Sequence, residues 1–202
     1  MFDDLLRHLK DRLLTPVAAR IGRRVHPNAV SVAALVVGLA VGVLAARRQY
    51  GAALGCWALN RALDGLDGTL ARVTGRQSDF GGYLDILLDF VVYAAVPLGL
   101  VYGVGTLAAA RAGLWLVASF FVNAASWMYL SAVLERRAQG AAARGELTTV
   151  TMPPALVAGT ETVVLYALFL AFPARLTTLF AIMAALVAAN VVQRLAWAAR
   201  RL

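Results

Sequence analysis

The stretch DGLDGTLARVTGRQSDFGGYLDILLD, residues 64–89, places Asp64, Asp67, Asp85 and Asp89 between long runs of Ala, Val and Leu. The 202-residue chain is 61% hydrophobic, with a mean hydropathy of +0.73, whereas soluble domains are roughly half apolar. Its apolar runs approach the roughly 20 residues that a helix needs to cross a bilayer. The aspartates therefore lie in a chain in which buried charge is costly. A function that requires four acidic side chains would explain why they are there.

The apolar runs predict an all-α integral membrane protein with six transmembrane helices. We expect these spans at residues 28–46, 50–73, 79–104, 112–135, 153–172 and 174–197. Residues 1–26 alternate leucines with charged residues at helical spacing, which is typical of an amphipathic helix lying in the membrane interface. The predicted domain organisation is therefore an interfacial segment, 1–26, followed by one six-helix domain, 27–202.

Basic residues outnumber acidic residues by 19 to 11, for a formal net charge of +8. They flank the apolar spans without the interleaved aromatic residues of a nucleic-acid surface, so we expect membrane lipids as partners and no nucleic acid. Most of them fall on the side of the membrane that holds both termini and the acidic motif. The positive-inside rule therefore predicts that both termini and the acidic cluster face the cytoplasm. We expect a multi-pass protein of a bacterial inner (plasma) membrane.

Helical spacing gathers the four aspartates onto two helix faces. Asp64 and Asp67 fall within one arc of the second span, and Asp85 and Asp89, four residues apart, stack on one face of the third. The short linker predicts that these spans are antiparallel neighbours whose acidic ends meet near the cytoplasmic surface. Each Asp inside a span costs about 2.5–3.5 kcal/mol on insertion scales, and converging carboxylates repel one another.

Four carboxylates with oxygen donors alone point to hard cations. Two divalent ions would balance their charge, and Mg²⁺ and Mn²⁺ prefer such ligands. A paired site of this kind stabilises the oxygens of a phosphoryl displacement. Gly68 on the acidic face would let a ligand approach the backbone, and Arg72, one turn further on, is placed to meet a phosphate. Two other classes stay open on these grounds: a cation-coupled membrane carrier that uses the same aspartates, and a non-catalytic membrane scaffold.

The acidic motif resembles a known signature. The spacing Asp64-x2-Asp67-Gly68-x2-Ala71-Arg72-x8-Gly81-x3-Asp85-x3-Asp89 matches, position for position, that of the class I CDP-alcohol phosphatidyltransferases. The six-span layout and the interfacial helix extend the resemblance to nearly the whole chain. The family implies a reaction of phospholipid biosynthesis, in which a phosphatidyl group passes from a CDP-linked lipid, CDP-diacylglycerol, to an acceptor alcohol with release of CMP. It also implies a homodimer.

The resemblance implies a role for each matching residue. The ligands of two divalent cations, Mg²⁺ or Mn²⁺, correspond to four aspartates: Asp64, Asp67, Asp85 and Asp89. Asp89 also corresponds to the general base that takes the proton of the acceptor hydroxyl. Contacts to the CDP-lipid are implied for five further residues: Asn28, Ser31, Gly68, Arg72 and Ser78. The first two of these lie in the segment PNAVS, residues 27–31, which resembles the family's Pro-Asn/Asp-x-x-Thr/Ser stretch.

The acceptor alcohol is specified less sharply by the sequence. An acceptor with its own phosphate needs cationic partners, and the fourth span has no basic residue in its interior before Arg136. Arg136 and Arg137 at the end of that span are candidate contacts for such an acceptor. Glu161, an ionisable residue within the fifth span, is a candidate contact for an amine. We therefore expect a serine-like acceptor first, with glycerol phosphate or inositol phosphate next.

Overall fold

The protein is represented by a computed structural model that describes residues 14–22, 24–140, 143 and 157–202. All regular secondary structure in these ranges is helical, which confirms the predicted all-α class. A first helix, α1, covers 14–21. The remaining helices are α2 Pro27–Ala46, α3 Tyr50–Thr74, α4 Asp79–Val104, α5 Leu107–Arg136, α6 Gly159–Ala171 and α7 Leu176–Arg201, with a 3₁₀ turn at Pro173–Arg175.

Four helical segments are long and apolar enough to cross a membrane: Pro27–Ala46, Asp79–Val104, Leu107–Arg136 and Pro173–Arg201. They make the chain a multi-pass membrane protein. The helix α3 has 25 residues but carries the charged cluster in its second half, and α6 has only 13. The count of six spans therefore stays a prediction, as does the interfacial helix, because residues 1–13, 23 and 144–156 lie outside the described residues.

The chain forms two compact units. The first comprises Met1–Val104 together with Tyr166–Pro173, and the second comprises Gly105–Leu165 together with Ala174–Leu202. In the first unit α2 packs against both α3 and α4, and in the second α5 packs against α7. The first unit contains the complete acidic motif, so its helices position the candidate site.

Glycines allow α2 and α4 to approach each other closely. A Cβ added to Gly99 of α4 would collide with the backbone of Gly42 of α2, and one added to Gly103 would collide with the carbonyl oxygen of Ala45. In a membrane the hydrophobic effect does not drive helices together, because lipid tails are as apolar as the side chains. Helix association then depends on van der Waals packing, and small residues let the backbones approach closely. At the end of α4, Arg48 Nε donates a 2.7 Å hydrogen bond to the carbonyl oxygen of Gly103.

A tyrosine repairs the interruption that Pro97 causes in α4. Because proline has no N–H, the carbonyl of Tyr93, four residues earlier, loses its helical partner. The hydroxyl of Tyr166, which is fully buried, donates to this carbonyl at 2.7 Å. The Tyr166 ring also stacks on Trp57 of α3, with centroids 5.2 Å apart. One aromatic side chain of α6 therefore satisfies α4 and contacts α3.

The described part of the N-terminal segment packs on α3. Ala18 of α1 is fully buried in a cluster with Val30, Leu66 and Leu70. A Cβ added to Gly22 would meet the side chain of Thr74 at 2.6 Å, so the chain leaving α1 runs close against the end of α3. The segment therefore lies beside the half of α3 that carries the aspartates.

Candidate active site

The four aspartates of the motif line one cavity in the first unit. The turn between the two acidic helices is short, and it starts at Gly75, whose φ of 65° lies in the left-handed region that favours glycine. The polar lining of the cavity comes from α2, α3 and α4: Ser31, Asn60, Arg61, Asp64, Asp67, Asp85 and Asp89. The predicted meeting of the acidic helix ends is confirmed.

The helices α3 and α4 are neighbours joined by a short turn, and Arg61 of α3 reaches Asp89 of α4 at 3.0 Å. Each also packs extensively against α2, which presents small residues such as Ala34 and Gly38. The cavity is the space that this arrangement leaves between α3 and α4, with α2 contributing to its lining.

Asp67 is the most buried of the acidic residues at the cavity, with 5% of its surface exposed. The hydroxyl of Ser31, on α2, donates to Asp67 Oδ2 at 2.6 Å. Ser31 itself is 7% exposed. A buried carboxylate requires such a partner, because desolvation without a hydrogen bond is costly. Two residues predicted for different roles, metal ligation and nucleotide contact, are thus bonded to each other.

Arg61 is a site residue that the sequence analysis treated only as part of the charge asymmetry. Its Nη2 lies 3.0 Å from Asp89 Oδ1, and its Nη1 lies 3.6 Å from Asp64 Oδ2. The signal was present in the sequence, since Arg61 precedes Asp64 by three residues and therefore shares its helix face. The contact with Asp89 crosses from α3 to α4, and no periodicity within one helix indicates it.

The carboxylates have the chemistry of a hard-metal site but not the arrangement of one. All four oxygen donors line the same cavity, and such donors suit Mg²⁺ or Mn²⁺. In the part of the chain that the structure describes, however, no three acidic, histidine or cysteine side chains are grouped closely enough to hold an ion. Arg61 engages two of the four carboxylates and Ser31 engages a third. The donor chemistry therefore fits hard cations, whereas the arrangement seen here engages three of the four carboxylates with other side chains.

Two of the residues predicted to bind the nucleotide meet at the start of α4. Ser78 Oγ accepts the N–H of Gly81 at 3.1 Å, and a Cβ on Gly81 would lie 3.5 Å from Asn28 Oδ1. The structure therefore brings Asn28 and Ser78 to one place, with a glycine between them. Glycine keeps this place open, because a side chain there would fill the space between the two polar groups.

The other pair of predicted nucleotide contacts lies on α3. A Cβ on Gly68 would be 3.4 Å from Arg72 Nη1, so the guanidinium lies over the bare backbone of the glycine. Arg72 Nη2 also donates to Thr69 Oγ1 at 3.2 Å. The arginine is therefore directed back along α3 towards the aspartates. This is the placement that the spacing of Gly68 and Arg72 predicts.

The three predicted acceptor contacts lie in the second unit. Glu161 stands in the first turn of α6, where its Oε2 accepts the N–H of Ala158 at 3.0 Å. This bond is that of a helix N-terminal cap. Arg137 donates through both terminal nitrogens to the carbonyl oxygen of Leu202, at 3.2 Å each, and Arg136 is exposed. An acceptor role for these residues stays a prediction.

Arg194 of α7 is a second arginine whose position the sequence did not reveal. It is 4% exposed, and its Nη1 donates to Asn123 Oδ1 at 3.1 Å and Ser126 Oγ at 3.3 Å. Its Nε has no hydrogen-bond partner among the described residues. Asn123 and Ser126 lie in the interior of α5, the predicted fourth span. A basic group therefore does reach that interior, contrary to the reason for preferring an uncharged acceptor.

Comparison with known proteins connects this arrangement to a family. The sequence profile of the family described as CDP-alcohol phosphatidyltransferase matches residues 24–199. The crystal structure of Mycobacterium tuberculosis phosphatidylinositol phosphate synthase with CDP-DAG bound has a similar fold, with a TM-score of 0.71, 21% sequence identity and coverage of 92% of each chain. At this identity the structural likeness shows a shared fold alone.

Individual proteins of similar sequence include a bacterial membrane protein and two named phosphatidyltransferases. The inner membrane protein YnjF of Escherichia coli is 40% identical over 147 residues, covering 69% of this chain and 68% of that protein. A chloroplastic CDP-diacylglycerol–glycerol-3-phosphate 3-phosphatidyltransferase of Oryza sativa is 41% identical over 75 residues, 37% of this chain and 23% of that protein. A CDP-diacylglycerol–serine O-phosphatidyltransferase of Mycobacterium bovis is 33% identical over 82 residues, 41% of this chain and 29% of that protein.

The family profile extends over most of the chain, including the whole acidic motif and the segment of α2 that carries Ser31. The two relatives named for an acceptor match over less than a third of their own length, so the acceptor does not follow from them. The reaction class does follow, because the profile and these relatives agree on transfer of a substituted phosphate group. The chain belongs to the CDP-alcohol phosphatidyltransferase family.

Proposed function

We propose that the protein transfers a phosphatidyl group from CDP-diacylglycerol to an acceptor alcohol and releases CMP. The observation that carries the proposal is the single cavity lined by Asp64, Asp67, Asp85 and Asp89. A CDP-linked lipid as donor is supported by the family and by the CDP-DAG in the structurally similar synthase. A carrier or a scaffold would use acidic residues in a membrane, but neither needs this complete spacing.

The four aspartates are proposed to hold two divalent cations, Mg²⁺ or Mn²⁺. Bound there, the cations would neutralise the diphosphate and make CMP a better leaving group. Ser31 holds Asp67 in place through the 2.6 Å bond, which restricts the rotation of that carboxylate. Reorientation of Asp64 away from Arg61 would complete the ligand set, and Asp89 would contribute Oδ2 while its Oδ1 stays bonded to Arg61.

The chain's own groups are proposed to orient the donor and move one proton. Asn28 and Ser78 would contact the nucleotide at the start of α4, and Arg72 would contact its diphosphate over Gly68. Asp89 would accept the proton of the acceptor hydroxyl as the oxygen attacks phosphorus. A carboxylate is sufficient for this step, because the hydroxyl needs only a positioned acceptor next to a polarised phosphoryl group.

The membrane arrangement is proposed from charge and from the family. Both termini and the cavity would face the cytoplasm of a bacterial cell, the protein would lie in the inner membrane, and two copies would form a homodimer. Residues 1–26 would form an interfacial segment ahead of the catalytic domain 27–202. The basic residues that flank the spans support this orientation through attraction to anionic lipid headgroups.

The acceptor is proposed to be serine, glycerol phosphate or inositol phosphate, on an equal footing. A preference for serine requires that no basic side chain reach the interior of the fourth span, and Arg194 does reach Asn123 and Ser126 there. With Arg194 there, the lack of a basic residue in the sequence of that span no longer argues against a phosphorylated acceptor. Glu161 would instead suit an amine.

The test is release of CMP by the purified full-length protein in detergent. CDP-diacylglycerol, Mn²⁺ and one alcohol at a time are supplied, and CMP is measured. We expect CMP with at least one acceptor, no CMP in excess EDTA, and recovery with Mg²⁺ or Mn²⁺. The variant Asp64→Asn should abolish turnover. Asp79→Asn is the matched control, because Asp79 is exposed at the start of α4 and does not line the cavity.

Two results would contradict parts of the proposal. Turnover in excess EDTA would exclude the metal-dependent mechanism. No CMP with any acceptor, combined with Mn²⁺ flux into liposomes, would favour the carrier. Two further results would decide among the acceptors. Glycerol phosphate activity that is lost in Arg136→Ala or Arg137→Ala would favour a phosphorylated acceptor. A raised KM for serine, and not for CDP-lipid, in Glu161→Gln would favour serine.

A further inference from the structure

The guanidinium of Arg61 makes more hydrogen bonds than an arginine needs if it only marks the cytoplasmic end of a span. Its Nε donates to Asn60 Oδ1 at 2.8 Å, and Asn60 Nδ2 in turn donates to the carbonyl oxygen of Ala34 at 2.7 Å. Its Nη1 donates to the hydroxyl of Tyr93 at 3.2 Å, and its Nη2 donates to Asp89 Oδ1 at 3.0 Å. Every nitrogen of the guanidinium therefore has a partner supplied by α3 or α4.

Two aromatic rings enclose the same guanidinium. Its central carbon lies 4.8 Å from the centroid of the Trp57 ring and 5.3 Å from that of Tyr93. Trp57 and Tyr93 are both packed against Tyr166, with centroids 5.2 Å and 5.3 Å away. A cation between aromatic faces is stabilised by their quadrupoles. With 12% of its side chain exposed, Arg61 is set in the wall of the cavity and does not belong to a solvated surface.

The consequence for the aspartates is a shared counter-ion. Asp64 and Asp89 both lie within ion-pair distance of the guanidinium, at 3.6 Å and 3.0 Å. A divalent cation that binds the same two carboxylates must compete with the guanidinium that already contacts them. Since like charges repel most strongly where water is scarce, the arginine opposes such binding. Since its planar fork restricts where Asp89 can lie, it also determines the geometry of that carboxylate.

We propose that Arg61 is a positioning residue with two opposed effects: it competes with a divalent cation for Asp64 and Asp89, and it orients Asp89 for proton transfer. The inference rests on the proposed function, because the orientation has meaning only if Asp89 acts as the base. If Arg61 were merely structural, its removal would lower cation affinity and turnover together. Removing the guanidinium strengthens cation binding and weakens turnover.

The experiment compares Arg61→Gln, Arg61→Lys and wild-type protein, all full-length in detergent. The Mn²⁺ dissociation constant is measured by electron paramagnetic resonance without substrate, and kcat and KM are measured by CMP release. Arg61→Gln should bind Mn²⁺ at least about threefold more tightly, because a competing charge is removed. Its kcat should fall about 100-fold, because a misplaced reacting group has a cost of that order. Its KM for CDP-lipid should change far less.

The lysine variant and a control arginine complete the comparison. Arg61→Lys keeps the charge but not the planar fork, so its Mn²⁺ affinity should stay within about twofold of wild type while kcat recovers only in part. Arg48→Gln is the matched control, because Arg48 bonds the Gly103 carbonyl in the same unit and does not line the cavity. It should lower thermal stability and leave both Mn²⁺ affinity and kcat unchanged.

Other outcomes contradict the inference or the proposed function on which it rests. Unchanged or weaker Mn²⁺ affinity in folded Arg61→Gln would exclude competition, and wild-type kcat would exclude positioning. If Arg61→Gln does not fold, Arg61→Lys decides, since wild-type kcat in that variant would show that the fork is dispensable. Wild-type protein that binds Mn²⁺ but releases no CMP overturns the proposed reaction while the affinity comparison still tests competition. Wild-type protein that binds no Mn²⁺ overturns both.

Discussion

Asp89 differs from the other three aspartates in the number of demands placed on it. It is matched to both a metal ligand and a general base, and in the structure its Oδ1 accepts a 3.0 Å hydrogen bond from Arg61. Its side chain nevertheless keeps 29% of its surface exposed. Asp67, by contrast, is bonded to Ser31 and almost fully buried. Asp64 is equally exposed, so accessibility does not separate these two carboxylates, and the resemblance alone singles out Asp89 as the proposed base.

Replacing Asp89 by Asn should lower kcat by about 10²–10⁴-fold, the usual contribution of a general base. The change is isosteric, so CDP-lipid binding should be retained as long as the other three aspartates hold metal. CMP release gives kcat, and binding of radiolabelled CDP-diacylglycerol gives affinity. Asp79→Asn serves as the control. Full turnover in Asp89→Asn would remove Asp89 from the base role, and lost CDP-lipid binding would show that metal ligation dominates there.

At the level of elements, α6 supplies a hydrogen bond that α4 lacks because of Pro97. The Tyr93 carbonyl has no helical donor because of Pro97, and the Tyr166 hydroxyl supplies the missing bond at 2.7 Å. Tyr166→Phe should therefore lower the free energy of unfolding by about 1–3 kcal/mol, the cost of an unsatisfied buried carbonyl. Thermal unfolding in detergent measures it. Tyr102→Phe is the control, because Tyr102 is 78% exposed, and equal stability losses would contradict the assignment.

The close packing of α2 on α4 makes a second prediction at the level of elements. Gly99→Ala should destabilise the protein by about 1–3 kcal/mol, since its Cβ would force the two backbones apart. Gly55→Ala is the matched control, because a Cβ at Gly55 meets nothing within 4 Å. That variant should be neutral or slightly more stable, because alanine favours helix. A stable Gly99→Ala variant would show that α2 and α4 can separate without penalty.

Helix bounds were predictable where composition changes abruptly. The predicted spans 50–73 and 79–104 agree with α3 and α4 to within a residue, because glycine and a polar turn separate them. The predicted fourth span corresponds to α5, which begins at Leu107, earlier than the predicted 112. Thr106 caps it there, accepting the N–H of Ala109 at 3.2 Å. Arg111 conceals this start, because a charged residue one turn after Leu107 interrupts the apolar run on which a span prediction depends.

For the whole molecule, the orientation of the chain in the membrane is the property to test. The chain has one cysteine, Cys56, so a Cys56→Ala background accepts single reporter cysteines. Gln77→Cys, exposed in the turn between α3 and α4, should react with a membrane-impermeant maleimide from the cytoplasmic side. Gln49→Cys, exposed between α2 and α3, should react only from the opposite side. Labelling of both from one side would contradict the proposed crossing of α3.

The sequence by itself determined those properties that depend on the spacing of residues within one segment of the chain. The acidic motif specified which side chains share a helix face and which family the chain resembles, and apolar length specified most helices. The tertiary structure alone decided which arginines meet which partners. Arg61 reaches Asp89 across the cavity, and Arg194 of α7 donates a hydrogen bond to Asn123 in the middle of α5. Periodicity describes one helix at a time, whereas the energy of a buried charge depends on neighbours that packing brings from distant parts of the chain.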